Sequence, residues 1–160
     1  MCGRFTLKSP DRLKFDRIDR STLPPLFARY NIAPSQNVLT ILERDSEREA
    51  TFLRWGLIPF WSKEPKGFIN ARAETVGQKA AFGESFQRRR CLIPADGFYE
   101  WERNGKISQP YYFQMKDQAA FAFAGPRAGS TTVLPAPGAL CTVRLTTAEN
   151  HAGSYCVMLF

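Results

Sequence analysis

Short strand-like segments separated by turn signals constrain the fold of this sequence more than any other feature. Asn104-Gly105 lies between two such segments, and Asn-Gly in that setting is a strong signal for a β-hairpin. A charged turn over residues 44–49 separates two more segments and predicts a second hairpin. We predict strands over residues 38–43, 50–55, 90–94, 98–102, 106–109, 111–115, 119–124 and 140–146. The predicted fold class is therefore α+β, a β-rich domain of mostly antiparallel sheets with few short helices.

Helical signals are weak and occur in two places. Ser9 followed by Pro10 is typical of a helix start, which predicts a short helix over residues 9–19. Residues 72–82 contain several good helix formers and predict a second helix. Residues 55–61 fit neither the helical nor the strand period, so we predict a structured, aromatic-rich loop there.

The length of 160 residues fits one domain, and we predict a single domain over residues 2–160. The sequence becomes atypical from about residue 125, because six of the 15 residues in 125–139 are Gly or Pro and show no period. A structureless loop of that length is uncommon in compact domains, which makes this stretch an anomaly.

Charge indicates an anionic partner. Lys and Arg total 22 against 15 acidic residues, a net charge of +7 with a pI near 9.5. Such an excess favours nucleic acid first and a membrane surface second. No apolar run approaches the ~20 residues of a membrane-spanning helix, and the first residues lack the apolar core of a secretory signal. We therefore expect a cytoplasmic protein without membrane contact.

The cysteines argue against a metal site. Cys2, Cys91, Cys141 and Cys156 lack paired spacing, and His151 is the single histidine of the sequence. We expect no metal and no organic cofactor. Cys91 and Cys141 lie in apolar runs, where a thiol behaves as a small apolar residue.

Cys2 is different, because removal of the initiator methionine would expose it as the terminal residue. Its α-amine and thiol would then lie on one residue, and both are partly unprotonated near neutral pH. Such an aminothiol traps aldehydes: the amine forms a Schiff base, and the thiol closes on the imine carbon to give a thiazolidine. Without supporting residues around it, Cys2 would be an ordinary second residue with no reactive role. The other motifs of the sequence decide between these two interpretations.

That context consists of five motifs, which occur in a fixed order. Each has a plain structural explanation by itself, such as an exposed ion pair or core packing. The motifs are CGRF at residues 2–5, YNIAP at 30–34, WGLIPFW at 55–61, INARAET at 69–75 and RCLIPADGFYEW at 90–101. Together they closely resemble the SOS-response-associated peptidase family, whose members are also described as abasic-site processing proteins. The resemblance extends from Cys2 to about Phe123 and resumes over residues 145–150.

The resemblance implies a DNA–protein crosslinking activity, lyase- or peptidase-like in type and linked to the SOS response. Members bind single-stranded DNA or single-strand to double-strand junctions and link covalently to the aldehyde of an abasic site. Cys2 would be the nucleophile, Asn70 would hold the reacting groups, and Glu100 would move protons. The same residues would serve autocatalytic removal of the residue before the cysteine. We expect a monomer.

The resemblance also assigns a DNA-binding surface. Arg4 and Arg72 are the candidates for phosphate contacts, because guanidinium groups grip phosphate oxygens bidentately. Trp61 and its loop would stack on unpaired bases. Asn31 and Pro34 of the YNIAP motif belong to the same predicted surface.

The end of the sequence departs from the family pattern. Members usually exceed 200 residues and carry an HxRMP-type histidine motif after the stretch that matches residues 145–150. Here His151 follows that stretch too closely to match, and we assign it no catalytic role. We therefore expect a diverged, truncated or frame-altered member with slowed crosslink chemistry and an uncovered sheet edge. Two alternatives stay open: a catalytically impaired single-stranded DNA-binding module, and a cysteine peptidase that acts on other proteins.

Overall fold

In the part of the chain that the structure describes, the strands form three sheets. A computed structural model describes residues 3–14, 18, 23–59, 61–63, 67–128, 139–140 and 142–144. The strands are β1 Arg4–Leu7, β2 Arg29–Ile32, β3 Asn37–Arg44, β4 Glu47–Trp55, β5 Asn70–Arg72, β6 Arg90–Ala95, β7 Gly97–Asn104, β8 Ile107–Phe113, β9 Phe121–Pro126, β10 Ala139–Leu140 and β11 Thr142–Arg144. The helices are α1 Ala73–Val76 and α2 Gly83–Arg88, preceded by a 3₁₀ turn over Pro10–Arg12.

The four-stranded sheet has the order β2-β1-β7-β8 and is antiparallel throughout. Its register pairs Arg4 with Tyr99 and Phe5 with Phe98 across β1 and β7. Pairing continues from Tyr99 to Tyr112 across β7 and β8. The start of the chain therefore lies beside residues about 95 positions further along the sequence.

The five-stranded sheet has the order β10-β4-β3-β6-β9, and β5 pairs with β11 in a separate two-stranded sheet. Its pairs are antiparallel except for the edge pair of β10 with β4, and β11 also runs parallel to β5. The turn that connects β6 to β7 links this sheet to the four-stranded sheet. The predicted class, mostly antiparallel sheet with few short helices, is confirmed.

Aromatic rings fill the core between the two larger sheets. The Phe5 ring makes edge contacts with Trp55 and Phe123, with ring centres 5.3 and 5.4 Å apart. Phe98 reaches the same cluster through Phe123. Trp55 is 1% exposed, so burial of these rings contributes several kcal/mol in total at roughly 25 cal/mol per Å². A second, smaller cluster joins Leu57, Ala71, Val76 and Phe82.

Both predicted hairpins form, and their turns use the residues that favour them. Asp45 and Ser46 have φ of 50° and 68°, as a two-residue turn between β3 and β4 requires. Gly105 has φ 59° between β7 and β8. The strands predicted over 38–43, 50–55, 90–94, 98–102 and 119–124 are confirmed. The strand predicted over 140–146 falls partly outside the described residues.

Three local predictions are wrong. Over the described part of residues 9–19, the predicted helix is replaced by the 3₁₀ turn, which ends because Leu13 adopts an extended backbone (ψ 128°). The helix predicted over 72–82 ends at Val76, and α2 forms beyond it. The two strands predicted over 106–109 and 111–115 are one strand, β8, since Pro110 continues the antiparallel pairing at the sheet edge.

The edge strand β8 is exposed along its whole length. Its outer side has no neighbouring strand among the residues that the structure describes. Within those same residues, no helix is long and apolar enough to cross a membrane.

Candidate functional site

Glu100 lies beside the point at which the chain enters β1. Gly3 is the first described residue, and Cys2 lies outside the described residues, as does His151. Arg4 pairs with Tyr99, and β1 and β7 are antiparallel. The residue after Tyr99, Glu100, therefore lies on the side from which the chain enters β1. Side chains alternate along a strand, so Glu100 shares the face of Phe98 and is partly buried.

Asn70 begins a strand of a different sheet and is linked to β1 through Trp55. The Trp55 indole N–H donates a hydrogen bond of 2.9 Å to the carbonyl of Ile69, directly before Asn70. The Trp55 ring in turn packs against Phe5, the residue after Arg4. Asn70 is partly buried and begins β5. A chain of two contacts thus joins the predicted asparagine to the first strand.

Arg72 lies two positions further along β5. The intervening Ala71 is buried, so alternation directs Asn70 and Arg72 to the opposite side. Arg72 is exposed. This arrangement presents a guanidinium group next to the predicted asparagine.

Arg4 and Asn31 meet on the outer face of the four-stranded sheet. The Arg4 Nη1 donates to Asn31 Oδ1 at 2.9 Å. Their strands are neighbours, and both side chains lie opposite the core face that carries Phe5 and Ile32. The motif resemblance predicts both residues on one DNA-binding surface, and the structure brings them into contact.

Pro34 and Trp61 belong to two loops that adjoin at Trp55. The turn with Pro34 is held by hydrogen bonds of Ser35 N to Trp55 O and of Trp55 N to Gln36 O. Trp61 lies in the predicted aromatic loop and is 55% exposed. A bridge between Leu57 and Phe68 closes the neck of that loop. The exposed indole therefore belongs to a loop whose two ends are paired with each other.

Two glycines permit the closure of this neck. A Cβ on Gly67 would overlap the carbonyl oxygen of Gly56, so only glycine fits this backbone approach. Gly56 itself has φ +134°, a conformation that L side chains rarely adopt.

Asp96 supports the site although it is not among the predicted site residues. It is 6% exposed, in the turn between β6 and β7. Its carboxylate accepts hydrogen bonds from Thr6 Oγ1 (2.6 Å), Ser9 N (2.9 Å) and Lys8 N. These bonds hold the far end of β1 against the turn and so maintain the register of Arg4 with Tyr99. The Asp-Gly pair before a strand was the available signal.

Lys8, which is partly exposed, and Cys91, which is buried, both have a raised pKa, for different reasons. The pKa of Lys8 is raised, chiefly by its hydrogen bond with Tyr112. Burial raises the pKa of the Cys91 thiol to about 12. Cys91 donates to the carbonyl of Gly125 at 3.2 Å and is an inert, packed side chain, as its apolar run predicted. Among the described residues, no group of three His, Cys, Asp or Glu side chains could hold a metal ion.

The fold and these positions define a β-rich domain in which Arg4 of the first strand bonds to Asn31 and pairs with Tyr99, the neighbour of Glu100. The SOS response associated peptidase (SRAP) family matches residues 1–152. The abasic site processing protein YoaM of Bacillus subtilis is 44% identical over 161 residues, covering 94% of this chain and 69% of that protein. The chain therefore belongs to the SOS response associated peptidase family.

Two more distant proteins are similar to this chain, one in sequence and one in fold. The abasic site processing protein YedK of Escherichia coli is 35% identical over 123 residues, covering 73% of this chain and 55% of that protein. The crystal structure of a phage-related protein from Bordetella bronchiseptica has a TM-score of 0.73 at 28% identity. That match covers 90% of this chain and 69% of the other.

Proposed function

We propose that this protein processes abasic sites in single-stranded DNA by forming a covalent bond through Cys2. Family membership and relatives named abasic site processing proteins support the general role. The observation that carries the residue assignment is the register of β1 with β7, because it brings Glu100 beside the strand that begins two residues after Cys2.

The proposed reaction joins an aldehyde and an aminothiol with loss of water. The α-amine of Cys2 attacks the aldehyde carbon of the ring-opened sugar to form a carbinolamine. Loss of water gives the imine. The thiol sulfur then adds to the imine carbon, its proton passes to the nitrogen, and a five-membered thiazolidine results. No oxidant or cofactor enters this balance.

Two side chains assist these proton and positioning steps. Glu100 protonates the departing hydroxyl of the carbinolamine and accepts the proton again, which is general acid–base catalysis. Asn70 donates and accepts hydrogen bonds, and so it orients the amine and the sugar. Both are partly buried, which limits the freedom of each group.

The surrounding cations and rings supply binding to DNA without regard to sequence. Arg4 and Arg72 contact phosphates, and Asn31 and Pro34 line the same surface. Trp61 stacks on an unpaired base, a contact typically worth ~1–3 kcal/mol. The net charge of +7 is consistent with a polyanionic partner.

The test incubates purified protein with a single-stranded oligonucleotide that carries one abasic site and then denatures the mixture. Intact mass of the protein first establishes that Met1 has been removed. We expect a heat-stable adduct with the wild-type protein. Cys2→Ala retains an α-amine, so its adduct should survive denaturation only after borohydride reduction.

Matched variants separate chemistry from folding. Cys91→Ala removes a buried thiol and should still form the adduct. Glu100→Gln should slow adduct formation by about 10²-fold, the lower range for general acid–base catalysis.

Three results would overturn the proposal. One is a wild-type protein with free Cys2 that forms no adduct. Salt-sensitive retention of DNA without any adduct would assign the chain to non-covalent DNA-binding modules. Cleavage of an unrelated protein, abolished in Cys2→Ala, would assign it to peptidases that act on other proteins.

A further inference from the structure

A row of four side chains crosses the outer face of the four-stranded sheet. Arg4 pairs with Tyr99, Tyr99 pairs with Tyr112, and Asn31 joins the row through its hydrogen bond to Arg4. We call Asn31, Arg4, Tyr99 and Tyr112 the outer-face row. Neighbouring strands lie about 4.8 Å apart, so the row spans about 14 Å at right angles to the strands.

The hydroxyl groups of both tyrosines in the row are hydrogen-bonded to protein atoms. Tyr99 donates its hydroxyl to the carbonyl of Tyr30 at 3.3 Å. A hydrogen bond of 2.9 Å joins the Tyr112 hydroxyl to Thr6 Oγ1. The two ring centres are 5.0 Å apart, and Trp101 adds a third ring 6.2 Å from Tyr99. The polar ends are thus bonded to the protein, while Tyr112 and Trp101 are 36% and 39% exposed and Tyr99 is partly exposed.

Lys8 places a fixed positive charge at the far end of the row. Its Nζ lies 4.9 Å from the centre of the Tyr112 ring, a cation–π contact. The same ammonium donates to Gln114 Oε1 at 3.3 Å. The row therefore begins near one cation, Arg4, and ends at another.

Acidic side chains are segregated away from this face. The four strands of the sheet contain two acidic residues, Glu100 and Glu102, both on β7. Alternation directs them to the face opposite Tyr99 and Trp101. The nearby Asp96 carboxylate is buried and accepts three hydrogen bonds. The outer face is consequently cationic and aromatic, without an exposed carboxylate from these strands.

We propose that the outer-face row and Lys8 form a track for single-stranded DNA that leads to the start of β1, two residues after Cys2. The inference rests on the proposed function, because Arg4 and Asn31 belong to both surfaces. A cation at Arg4 and a second over the Tyr112 ring, with Tyr99 on the strand between them, match a strand that alternates phosphates and unpaired bases. An acidic peptide would satisfy the charges but would leave the rings without partners.

The experiment compares short and long single-stranded oligonucleotides with a central abasic site. The long ones carry about ten further nucleotides on the 5′ side or on the 3′ side. Fluorescence anisotropy gives Kd at several salt concentrations, and a denaturing gel gives adduct in the same samples. Wild-type protein should gain affinity from the extension on one side, because only that strand reaches the track.

Two pairs of variants test the row. Lys8→Gln should reduce the gain in affinity from the extension about tenfold. It should also reduce the slope of the logarithm of affinity against the logarithm of salt concentration by about 0.7, the value for one phosphate contact on a single strand. Lys14→Gln removes an exposed charge outside the row and should keep the full gain. Tyr99→Leu should lose about tenfold of the gain, whereas Tyr99→Phe keeps the ring and should keep most of it. Circular dichroism verifies that each variant is folded.

The outcomes distinguish the two proposals. If Lys8→Gln and Tyr99→Leu show the full length-dependent gain while adducts form, the track does not exist and the proposed function stands. If wild-type protein forms no adduct, the proposed function fails, and the length comparison still reports on the track. Equal competition by poly-glutamate and by unmodified single-stranded DNA would also overturn the track, since charge alone would then explain binding.

Discussion

Replacing Asp96 by alanine is expected to lower the free energy of unfolding by about 3 kcal/mol. The carboxylate is buried and accepts hydrogen bonds from Thr6, Lys8 and Ser9. The Thr6 hydroxyl retains a partner in Tyr112 after the substitution, so its loss is small. The two main-chain N–H groups are left without their acceptor at ~1–3 kcal/mol each, reduced because both bonds are only partly buried.

The assay is urea unfolding followed by tryptophan fluorescence, with the midpoint and slope fitted separately. A change of about 3 kcal/mol corresponds to a fall in Tm of roughly 6–12 °C for a chain of this size. Asp96→Asn keeps one acceptor oxygen and should lie between the wild type and the alanine variant.

Asp117→Ala provides the matched control. Asp117 is exposed, and its carboxylate accepts one hydrogen bond, from Ala119 N. Its removal should change stability by less than about 0.5 kcal/mol. If Asp96→Ala proves no more destabilising than Asp117→Ala, the buried carboxylate does not hold β1 in register, and our account of the site loses its support.

Three further outcomes are expected. Gly97→Ala should destabilise the protein by about 1–3 kcal/mol in urea, because its Cβ would overlap the Tyr112 hydroxyl; a variant as stable as wild type would contradict this. Gly67→Ala should weaken binding of single-stranded DNA, since its Cβ would overlap the Gly56 carbonyl at the loop neck, and unchanged anisotropy titrations would refute that. Stability contributed by Cys91 should be complete below pH 9 and lost as pH rises toward 12, because burial raises its pKa in the folded state alone. Cys91→Ala should show less of this alkaline loss in urea titrations, and identical pH profiles would disprove the assignment.

The hairpins could be predicted from sequence because their determinants are local. Asp45-Ser46 and Asn104-Gly105 carry residues that tolerate the left-handed backbone, and each acts on strands directly beside it. The helix at Ser9-Pro10 failed for the converse reason. Its start signal is local too, but its apolar face is incomplete, and packing of Leu13 in the core favours an extended backbone.

The residues of the candidate site also differ in whether local sequence is enough to predict them. Motif resemblance singled out Asn70, Glu100, Arg4 and Asn31, because residue types and spacing can be read along the chain. Tyr112 carries no such signal, and Asp96 carries only the weak one of an Asp-Gly pair before a strand. Their importance lies in bonds to Thr6 and Lys8, about a hundred positions away in sequence.

The sequence by itself determined the turns, the strand-rich class and the chemical groups available for reaction, since these depend on neighbouring residues. Only the tertiary structure decided which strands adjoin and which faces their side chains share. The pairing of Arg4 with Tyr99 and of Tyr99 with Tyr112 is one such decision. Its physical reason is that register depends on burying Phe5 against Trp55 and on bonding β1 to Asp96, contacts that form only when distant segments meet.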